Sequence, residues 1–257
     1  MQFFKYHGTG NDFILMDNRS GDKSVSRKEI ADMCHRRFGI GADGLMLLQN
    51  KDGFDFEMIY YNSDGGESSM CGNGGRCIVQ FAADLGIIDK AAHFLAIDGA
   101  HKAHINAEGV ALEMIPVKQY EKQDNAWVLN TGSPHCVVYQ KQLKDADIAG
   151  QGRKIRNSAP YKKEGINVNF IEAFTKNELY VRTYERGVED ETYSCGTGVV
   201  AASLADFLED KTSDKWRILH TLGGKLRVAF DFEDNAFSNI VLSGSAEYVF
   251  KGEWKSK

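Results

Sequence analysis

Residues 70–77 read Met70-Cys71-Gly72-Asn73-Gly74-Gly75-Arg76-Cys77 and run straight into an apolar segment with helical spacing that stops at Gly86. Glycines ahead of a helical pattern predict a tight loop that delivers the Cys71 thiol to the N-terminus of a helix. The unpaired N–H groups of such a terminus bind anions and favour a thiolate over a thiol. On its own the loop is a weak signal, because an ordinary tight turn has the same composition.

The pattern of a cysteine and glycines ahead of an apolar helical segment occurs twice. Ser194-Cys195-Gly196-Thr197-Gly198 also leads into an apolar segment, which runs to Leu208. When Cys71 is aligned with Cys195, earlier turns also come into step. They are Gly8–Phe13 with Asn130–His135, and Tyr60–Gly65 with Thr183–Gly187. Ordered anchors at a near-constant offset predict a duplicated half of about 120 residues.

The predicted fold class is α/β with mixed sheets, in two pseudo-symmetric domains. Residues 1–116 form the half with Cys71 and residues 117–247 the half with Cys195, while the tail 248–257 is expected to return to the first half. The polar segment Pro116–Asn125 has little periodicity, which predicts a linker.

Local patterns predict the elements around these loops. A capping box of Ser26 and Glu29 predicts a helix over 26–38, and a second helix is expected around 147–156. Apolar residues alternate with Asn167 and Asn169, which predicts a strand with both asparagines on one face. The helix after Cys195 is apolar nearly all round, so we expect its sheet to enclose it.

Composition narrows the function classes. The chain has 257 residues, 42% of them hydrophobic, and a net charge of -5, which argues against nucleic acid as a partner. It has no apolar stretch long enough for a membrane span and no leader pattern at its N-terminus, so we predict a cytoplasmic protein. Its five cysteines lack Cys-x-x-Cys spacing, which argues against structural disulfides and a zinc site. Cys34, Cys77 and Cys136 are predicted to be buried packing residues.

The paired cysteines indicate a particular chemistry. A single activated cysteine would suggest a thiol hydrolase with a histidine partner. Two cysteines in duplicated settings suggest inversion at a carbon, in which one thiolate removes a proton from one face and the other thiol donates a proton to the opposite face. Such a reaction also needs donors to the carboxylate beside the carbanion, and two helix N-termini can supply them.

The Met70–Cys77 loop, the Glu185-Arg186-Gly187 turn before Ser194–Gly198 and the opening Gly8–Phe13 closely resemble the diaminopimelate epimerase family. The resemblance covers the whole chain. It implies interconversion of LL- and meso-2,6-diaminopimelate for lysine and peptidoglycan synthesis, with neither a cofactor such as pyridoxal phosphate nor a metal. It also implies two domains, each a curved mixed sheet wrapped around a central helix, and a homodimer.

The resemblance carries over to individual residues. It makes Cys71 and Cys195 the acid/base pair, with His135 and Glu185 flanking the thiols. The backbone N–H groups that it assigns to the reacting carboxylate belong to Gly72, Asn73, Gly196 and Thr197. The residues that it assigns to substrate binding, mostly at the distal end, are Asn11, Asn62, Ser133, Asn167, Glu185 and Arg186.

Two positions depart from the family pattern. Gly44 stands where some members have glutamine, which removes a side-chain contact to the substrate. Ser133 stands where the usual motif is Gly-Asn-Pro-His, and serine can hydrogen-bond with a shorter reach. Neither position touches the acid/base pair, so both concern the substrate more than the reaction type.

Three alternatives remain open at this stage. A related cofactor-independent racemase acting on proline, hydroxyproline or another amino acid would use the same cysteine pair. The pairing of Glu185 with Arg186 favours a substrate with a second charged end instead. An isomerase of the phenazine-biosynthesis type shares the fold but lacks the two cysteines. A redox-sensing or binding protein would instead close a disulfide between Cys71 and Cys195.

Overall fold

The computed structural model describes residues 1–68, 70–210 and 214–255. The chain divides into two compact units, one formed by Met1–Leu112 with Gly244–Lys257 and the other by Glu113–Ser243. The sequence pattern put these junctions after residues 116 and 247. In the structure both lie slightly earlier.

The first unit is a mixed sheet with two helices. The pairing of neighbouring strands alternates between antiparallel and parallel: β1 is antiparallel to β2, β2 parallel to β3, β3 antiparallel to β4, and β4 parallel to β5. β5 and β6 form an antiparallel pair, β7 follows antiparallel to β6, and β17 flanks β1. The elements are β1 (Gln2–Gly8), β2 (Asn11–Asp17), α1 (Arg27–Cys34), β3 (Gly44–Gln49), β4 (Phe56–Asn62), α2 (Gly72–Asp84), β5 (Ala91–Ala96), β6 (Gly99–Asn106), β7 (Gly109–Glu113) and β17 (Glu247–Glu253).

The second unit repeats this order. β9 is antiparallel to β10, β10 parallel to β11, β11 antiparallel to β12, β12 parallel to β14, and β14 antiparallel to β15. β8 flanks β9 as β17 flanks β1. The elements are β8 (Tyr120–Gln123), β9 (Ala126–Asn130), β10 (Pro134–Tyr139), a 3₁₀ turn (Leu143–Asp145), α3 (Ile148–Arg156), β11 (Asn167–Ala173), β12 (Glu178–Glu185), β13 (Asp190–Thr192), α4 (Gly196–Asp210), β14 (Trp216–Thr221), β15 (Gly224–Glu233) and β16 (Ala236–Gly244).

Each unit has one central helix, and each of these helices begins directly after a cysteine. α2 packs against β1, β2, β3, β6 and β17, while α4 packs against β9 to β12 and against β14 and β15. Burial of an apolar side chain stabilises the fold by about 1.5 to 3 kcal/mol. The buried face of α4 includes Val199, Val200 and Leu204, and its burial nearly all round matches the apolar sequence. The predicted fold class is confirmed.

Two local predictions are wrong. The first helix ends at Cys34 instead of near residue 38, since His35 is extended and its Nδ1 accepts hydrogen bonds from the N–H groups of Arg37 and Phe38. This side chain replaces the next helical turn. The segment 116–125 is no linker, because Val117 is buried and exchanges backbone hydrogen bonds with Phe237. The strand β8 lies within the same segment.

Candidate active site

Cys71 is the N-cap residue of α2. Its backbone is extended, and the Gly74 N–H donates to Cys71 Sγ at 3.2 Å. The thiol is partly exposed, as a reactive group must be. A donor N–H and the positive end of the helix dipole both favour the thiolate. A Cβ at Gly74 would lie 2.7 Å from Met46 Cε and 3.2 Å from Cys71 Sγ, so glycine lets the loop close around the sulfur.

Cys195 has the matching place at α4. It directly precedes the helix, and its carbonyl accepts the Val199 N–H at 3.0 Å. Its Sγ lies 3.6 Å from Thr197 Oγ1. A Cβ at Gly198 would overlap Asn169 Oδ1, so this glycine permits a close approach between α4 and β11. The prediction of a thiol at the start of each central helix is confirmed.

A buried hydrogen-bond chain leads from Cys195 into the second unit. Thr183 Oγ1 donates to Asn169 Oδ1 at 3.0 Å, so Asn169 Nδ2 is the atom that faces His135 Nδ1, at 2.9 Å. An amide nitrogen only donates, so Nδ1 accepts and the imidazole proton sits on Nε2. His135 Nε2 lies 2.9 Å from Thr197 Oγ1. Thr197 therefore accepts from His135 and can turn its own hydroxyl proton toward Cys195.

His135 is neutral in this setting. It is fully buried, and burial together with the nearby Arg186 charge lowers its pKa to about 3. An uncharged imidazole cannot stabilise a thiolate as a cation would. It acts through the hydrogen bond to Thr197, which orients the hydroxyl group beside the Cys195 sulfur.

Several predicted substrate-binding residues of the second unit lie together. Asn167 Nδ2 donates to Ser133 Oγ at 2.9 Å, and Asn167 Oδ1 accepts the Arg186 N–H at 2.8 Å. Ser133 Oγ also lies 3.0 Å from His135 Nε2. The serine therefore keeps a polar place in the network despite its short side chain. These contacts join the predicted distal residues to the histidine chain.

Glu185 and Arg186 end β12 beside this network. Glu185 Oε2 accepts the Thr192 hydroxyl at 3.0 Å. The Arg186 side chain is exposed, and its Nη1 donates to the Glu164 carbonyl at 3.0 Å. The guanidinium thus keeps further donors that a carboxylate can use.

In the first unit, Asn11 and Asn73 are linked. Asn73 Nδ2 donates to Asn11 Oδ1 at 3.2 Å, and Asn11 Nδ2 donates to Asp43 Oδ2 at 2.6 Å. Arg76 in turn donates to Asn73 Oδ1 at 3.0 Å. The predicted residue Asn62 lies at the end of β4 with an exposed side chain, and its backbone closes the turn through Gly66. The structure therefore joins Asn11 and Asn73 by hydrogen bonds but gives Asn62 no such link among the described residues.

The departure at Gly44 has a steric cause. A Cβ at this position would lie 2.5 Å from Tyr60 Cε2 and 2.6 Å from the Tyr61 carbonyl oxygen. The Tyr60 ring therefore occupies the space that a larger residue at position 44 would need. Tyr60 packs edge-on against Phe13, with ring centroids 6.0 Å apart.

The sequence alone predicts no role for Asn169, Asp43, Tyr60 or Arg76. Asn169 had a usable signal, since its alternation with Asn167 put both on one face of β11. Asp43 and Tyr60 meet the predicted site only after the strands have paired. Arg76 contacts Gly72 and Asn73 within α2 and also the distant Thr9 and Ser245.

The three remaining cysteines are buried. Burial raises the pKa of Cys34 to about 12 and that of Cys136 to about 11, and it also raises the pKa of Cys77. They therefore remain thiols at neutral pH. Their low exposure confirms the predicted burial in the core. Cys71 and Cys195 are the cysteines placed at helix starts.

The described part of the chain holds no cluster of three or more histidine, cysteine, aspartate or glutamate side chains arranged to bind a metal ion. Among the same residues, none of the helices combines the length and the apolar content needed to cross a membrane.

Comparison with known proteins gives a consistent family. A sequence model described as diaminopimelate epimerase matches residues 3–118 and 127–249. The diaminopimelate epimerase of Flavobacterium psychrophilum is 48% identical over 256 residues, covering 98% of this chain and 99% of the relative. The one from Chlorobaculum tepidum is 42% identical over 254 residues, covering 95% and 98%.

Solved structures share the fold at low identity. A phenazine biosynthesis protein of the PhzF family from Bacillus anthracis has a TM-score of 0.79 at 15% identity, covering 100% of this chain and 99% of that one. A hydroxyproline epimerase from Agrobacterium vitis, with trans-4-hydroxy-L-proline bound, has a TM-score of 0.66 at 14% identity, covering 98% and 91%. The likeness to these two proteins is one of fold, whereas the sequence matches are close and nearly full-length. The chain belongs to the diaminopimelate epimerase family.

Proposed function

We propose that this protein interconverts LL- and meso-2,6-diaminopimelate without a cofactor, using Cys71 and Cys195 as its two acid/base groups. The observation that carries the proposal is a thiol at the glycine-opened start of each central helix, in a chain that belongs to this family. A helix start lowers the pKa of a thiol toward the range needed for proton transfer.

In the proposed reaction one cysteine is a thiolate and the other a thiol. The thiolate removes the α-proton from one face of the substrate carbon and becomes a thiol. The other thiol gives its proton to the opposite face and becomes a thiolate. The proton count is unchanged, the configuration inverts, and the reverse reaction starts from the exchanged state.

The carbanion formed in between needs donors at its carboxylate. We assign this role to the backbone N–H groups of Gly72, Asn73, Gly196 and Thr197, all in the first turns of α2 and α4. Preorganised donors of this kind commonly contribute about 3 to 4 kcal/mol to transition-state stabilisation.

The distal amino-acid end of the substrate would be held by polar residues at the strand ends. Arg186 offers donors for a carboxylate, and Glu185 an acceptor for an ammonium group. The hydrogen bonds among Ser133, Asn167 and the Arg186 backbone support a fixed geometry there. The remaining residues assigned to this role are Asn11 and Asn62.

The proposal is tested with the reduced enzyme in deuterium oxide, without added cofactor and after treatment with a chelator and hydroxylamine. LL-diaminopimelate should gain deuterium at the α-carbon and convert to the meso isomer. L-proline, trans-4-hydroxy-L-proline and a panel of other amino acids should stay unlabelled. Exchange of any of them but not of diaminopimelate would overturn the substrate assignment in favour of a racemase. If the reduced protein exchanged no α-proton of any amino acid and Cys71 and Cys195 formed a disulfide on oxidation, the redox-sensing alternative would be favoured.

We further propose a cytoplasmic homodimer that serves lysine and peptidoglycan synthesis. The support for a dimer is β17, in which three consecutive apolar side chains, Tyr248, Val249 and Phe250, are each exposed. Apolar patches of this kind mark interaction sites. Light scattering should give twice the 28.6 kDa chain mass, and Val249→Lys should shift it to one chain mass. A single chain mass in the unmodified protein would refute the dimer, and fractionation of cells checks the location.

A further inference from the structure

Arg76 is a fully buried arginine on α2, five residues after Cys71. Its guanidinium donates to the Gly72 carbonyl at 3.1 Å and to Asn73 Oδ1 at 3.0 Å. Further contacts go to Thr9 Oγ1 at 3.3 Å and to the Ser245 carbonyl at 3.4 Å. All four acceptors are neutral. Among the residues that the structure describes, Arg76 forms no ion pair.

Charged side chains on the strands packed against α2 have ion-pair partners of their own. Asp84, at the end of α2, accepts hydrogen bonds from the Tyr6 hydroxyl at 2.5 Å and from Gln80 Nε2 at 2.9 Å. In the turn that precedes β6, the Asp98 carboxylate accepts a hydrogen bond from the Met70 backbone. The pairs are Asp12 with Lys5 at 2.7 Å and with Arg36 at 2.8 Å, Asp98 with His101 at 3.1 Å, and His7 with Glu247 at 3.8 Å. Among the described residues, the buried guanidinium of Arg76 therefore has neutral hydrogen-bond acceptors and no carboxylate partner.

Burying a cation without a counter-charge is costly, and proteins commonly avoid it. Burial lowers the pKa of Arg76 to about 10, which still leaves the side chain charged at neutral pH. The guanidinium reaches back toward the helix start, to the two residues that follow Cys71. Cys77 is buried, and its raised pKa keeps it a thiol. The partly exposed Cys71 is the thiol in this neighbourhood that can supply a negative charge.

The second unit has no such cation at the equivalent place. With Cys71 aligned to Cys195, Arg76 corresponds to Val200, which packs in the apolar core. The polar partners of Cys195 and Thr197 lead instead to the neutral His135.

We propose that Arg76 is a positioning residue whose buried charge holds Cys71 as the thiolate of the resting enzyme, while Cys195 rests as the thiol. The inference rests on the proposed function only in that the thiolate is used there to remove the α-proton of the substrate. The hydrogen bonds from Arg76 to the Gly72 carbonyl and to Asn73 Oδ1 also hold the loop in place around the Cys71 sulfur.

The test measures the ionisation of Cys71 directly. In a Cys195→Ala background, alkylation by iodoacetamide is followed against pH and mapped to the Cys71 peptide. Arg76→Met removes the charge but keeps an unbranched side chain, and should raise the pH midpoint by about one to two units. Arg76→Lys keeps the charge and should retain most of the low midpoint. Arg19→Met makes the same change at an exposed arginine of the same unit and should leave the midpoint unchanged.

A structural role alone would give a different result. If Arg76→Met is folded by circular dichroism and its midpoint equals that of the parent, the inference is wrong. If Arg76→Met does not fold, the two single-cysteine variants that keep Arg76 are compared instead. Cys71 in the Cys195→Ala protein should then titrate at least about one unit below Cys195 in the Cys71→Ala protein. Equal midpoints, or a lower one for Cys195, would overturn the inference.

This readout needs no substrate. A low, Arg76-dependent midpoint in a protein that does not epimerise diaminopimelate would leave the inference standing and refute the proposed function. Normal epimerisation of diaminopimelate with a Cys71 midpoint that does not depend on Arg76 would support the proposed function and refute the inference.

Discussion

Cys71 and Cys195 open matching helices, yet the side chains behind them differ in kind. Strand register identifies the equivalent positions, which are Phe13 and His135, Met46 and Asn169, Tyr60 and Thr183, and in the helices Arg76 and Val200. In the first unit these positions hold two aromatic rings and a thioether, of which the Met46 thioether lies beside Gly74, and a buried cation lies within the helix. In the second unit a hydrogen-bonded chain of neutral polar groups leads to the sulfur.

The difference shows what the repeated fold contributes and what it leaves open. Both units provide a helix N-terminus whose first N–H groups lie outside the helical hydrogen-bond ladder, and the reaction requires such donors at each thiol. The neighbours at equivalent positions then set the proton affinity of each sulfur separately. We therefore expect two thiols with unequal resting protonation on one shared scaffold.

The largest effect that separates the halves is expected at the glycines inside the two helix starts. A methyl group at Gly198 would overlap the Asn169 oxygen, which Thr183 holds in place. At Gly74 it would meet the end of the flexible Met46 side chain. Gly198→Ala should therefore lower the free energy of unfolding by about 3 kcal/mol and Gly74→Ala by about 1 kcal/mol. Urea denaturation measures both, and equal losses would contradict the described packing.

The next effect is a pH dependence carried by His135 in the second unit. Its pKa of about 3 in the folded chain lies below the ordinary value of about 6.5, so the unfolded chain binds the proton more readily. The stabilising contribution is complete above about pH 6.5 and is lost as the pH falls toward 3. At pH 5 the loss should be about 2 kcal/mol.

His135→Gln is neutral at every pH and should remove this slope. The check is urea denaturation of both proteins between pH 5 and pH 8. Identical slopes would mean that folding leaves the pKa of His135 unchanged.

The smallest effect concerns the link between Asn169 and His135. Asn169→Met introduces the residue found at the equivalent position of the first unit. It removes the donor that fixes the imidazole proton on Nε2, so kcat should fall about tenfold with little change in KM. Asn50→Met, the same change in an exposed loop, serves as the control. A raised KM with unchanged kcat would place Asn169 in substrate binding instead.

Much of the framework could be predicted from the sequence because its signals are local. The glycines before each helix, the apolar helix after Cys195 and the alternation around Asn167 each lie within a few residues of what they determine. The repeat adds a comparison of the chain with itself. Together they indicate the fold class and the two thiols.

The missed features depend on contacts between distant residues. Tyr60 fills the space at Gly44 only because β3 and β4 pair in one register, and Asn169 reaches His135 only through the pairing of β10 with β11. The early end of α1 has a different cause, since the His35 ring competes for backbone donors. No periodic pattern reports such competition.

The most direct test of the central claim replaces each candidate acid/base cysteine in turn. Cys71→Ala and Cys195→Ala should each lose net epimerisation of LL-diaminopimelate by at least about a thousandfold, because inversion needs a proton carrier on both faces. Cys136→Ala, which changes a buried core thiol, should keep activity within severalfold. If either Cys71→Ala or Cys195→Ala epimerises at nearly the rate of the unmodified enzyme, the two-base account is wrong.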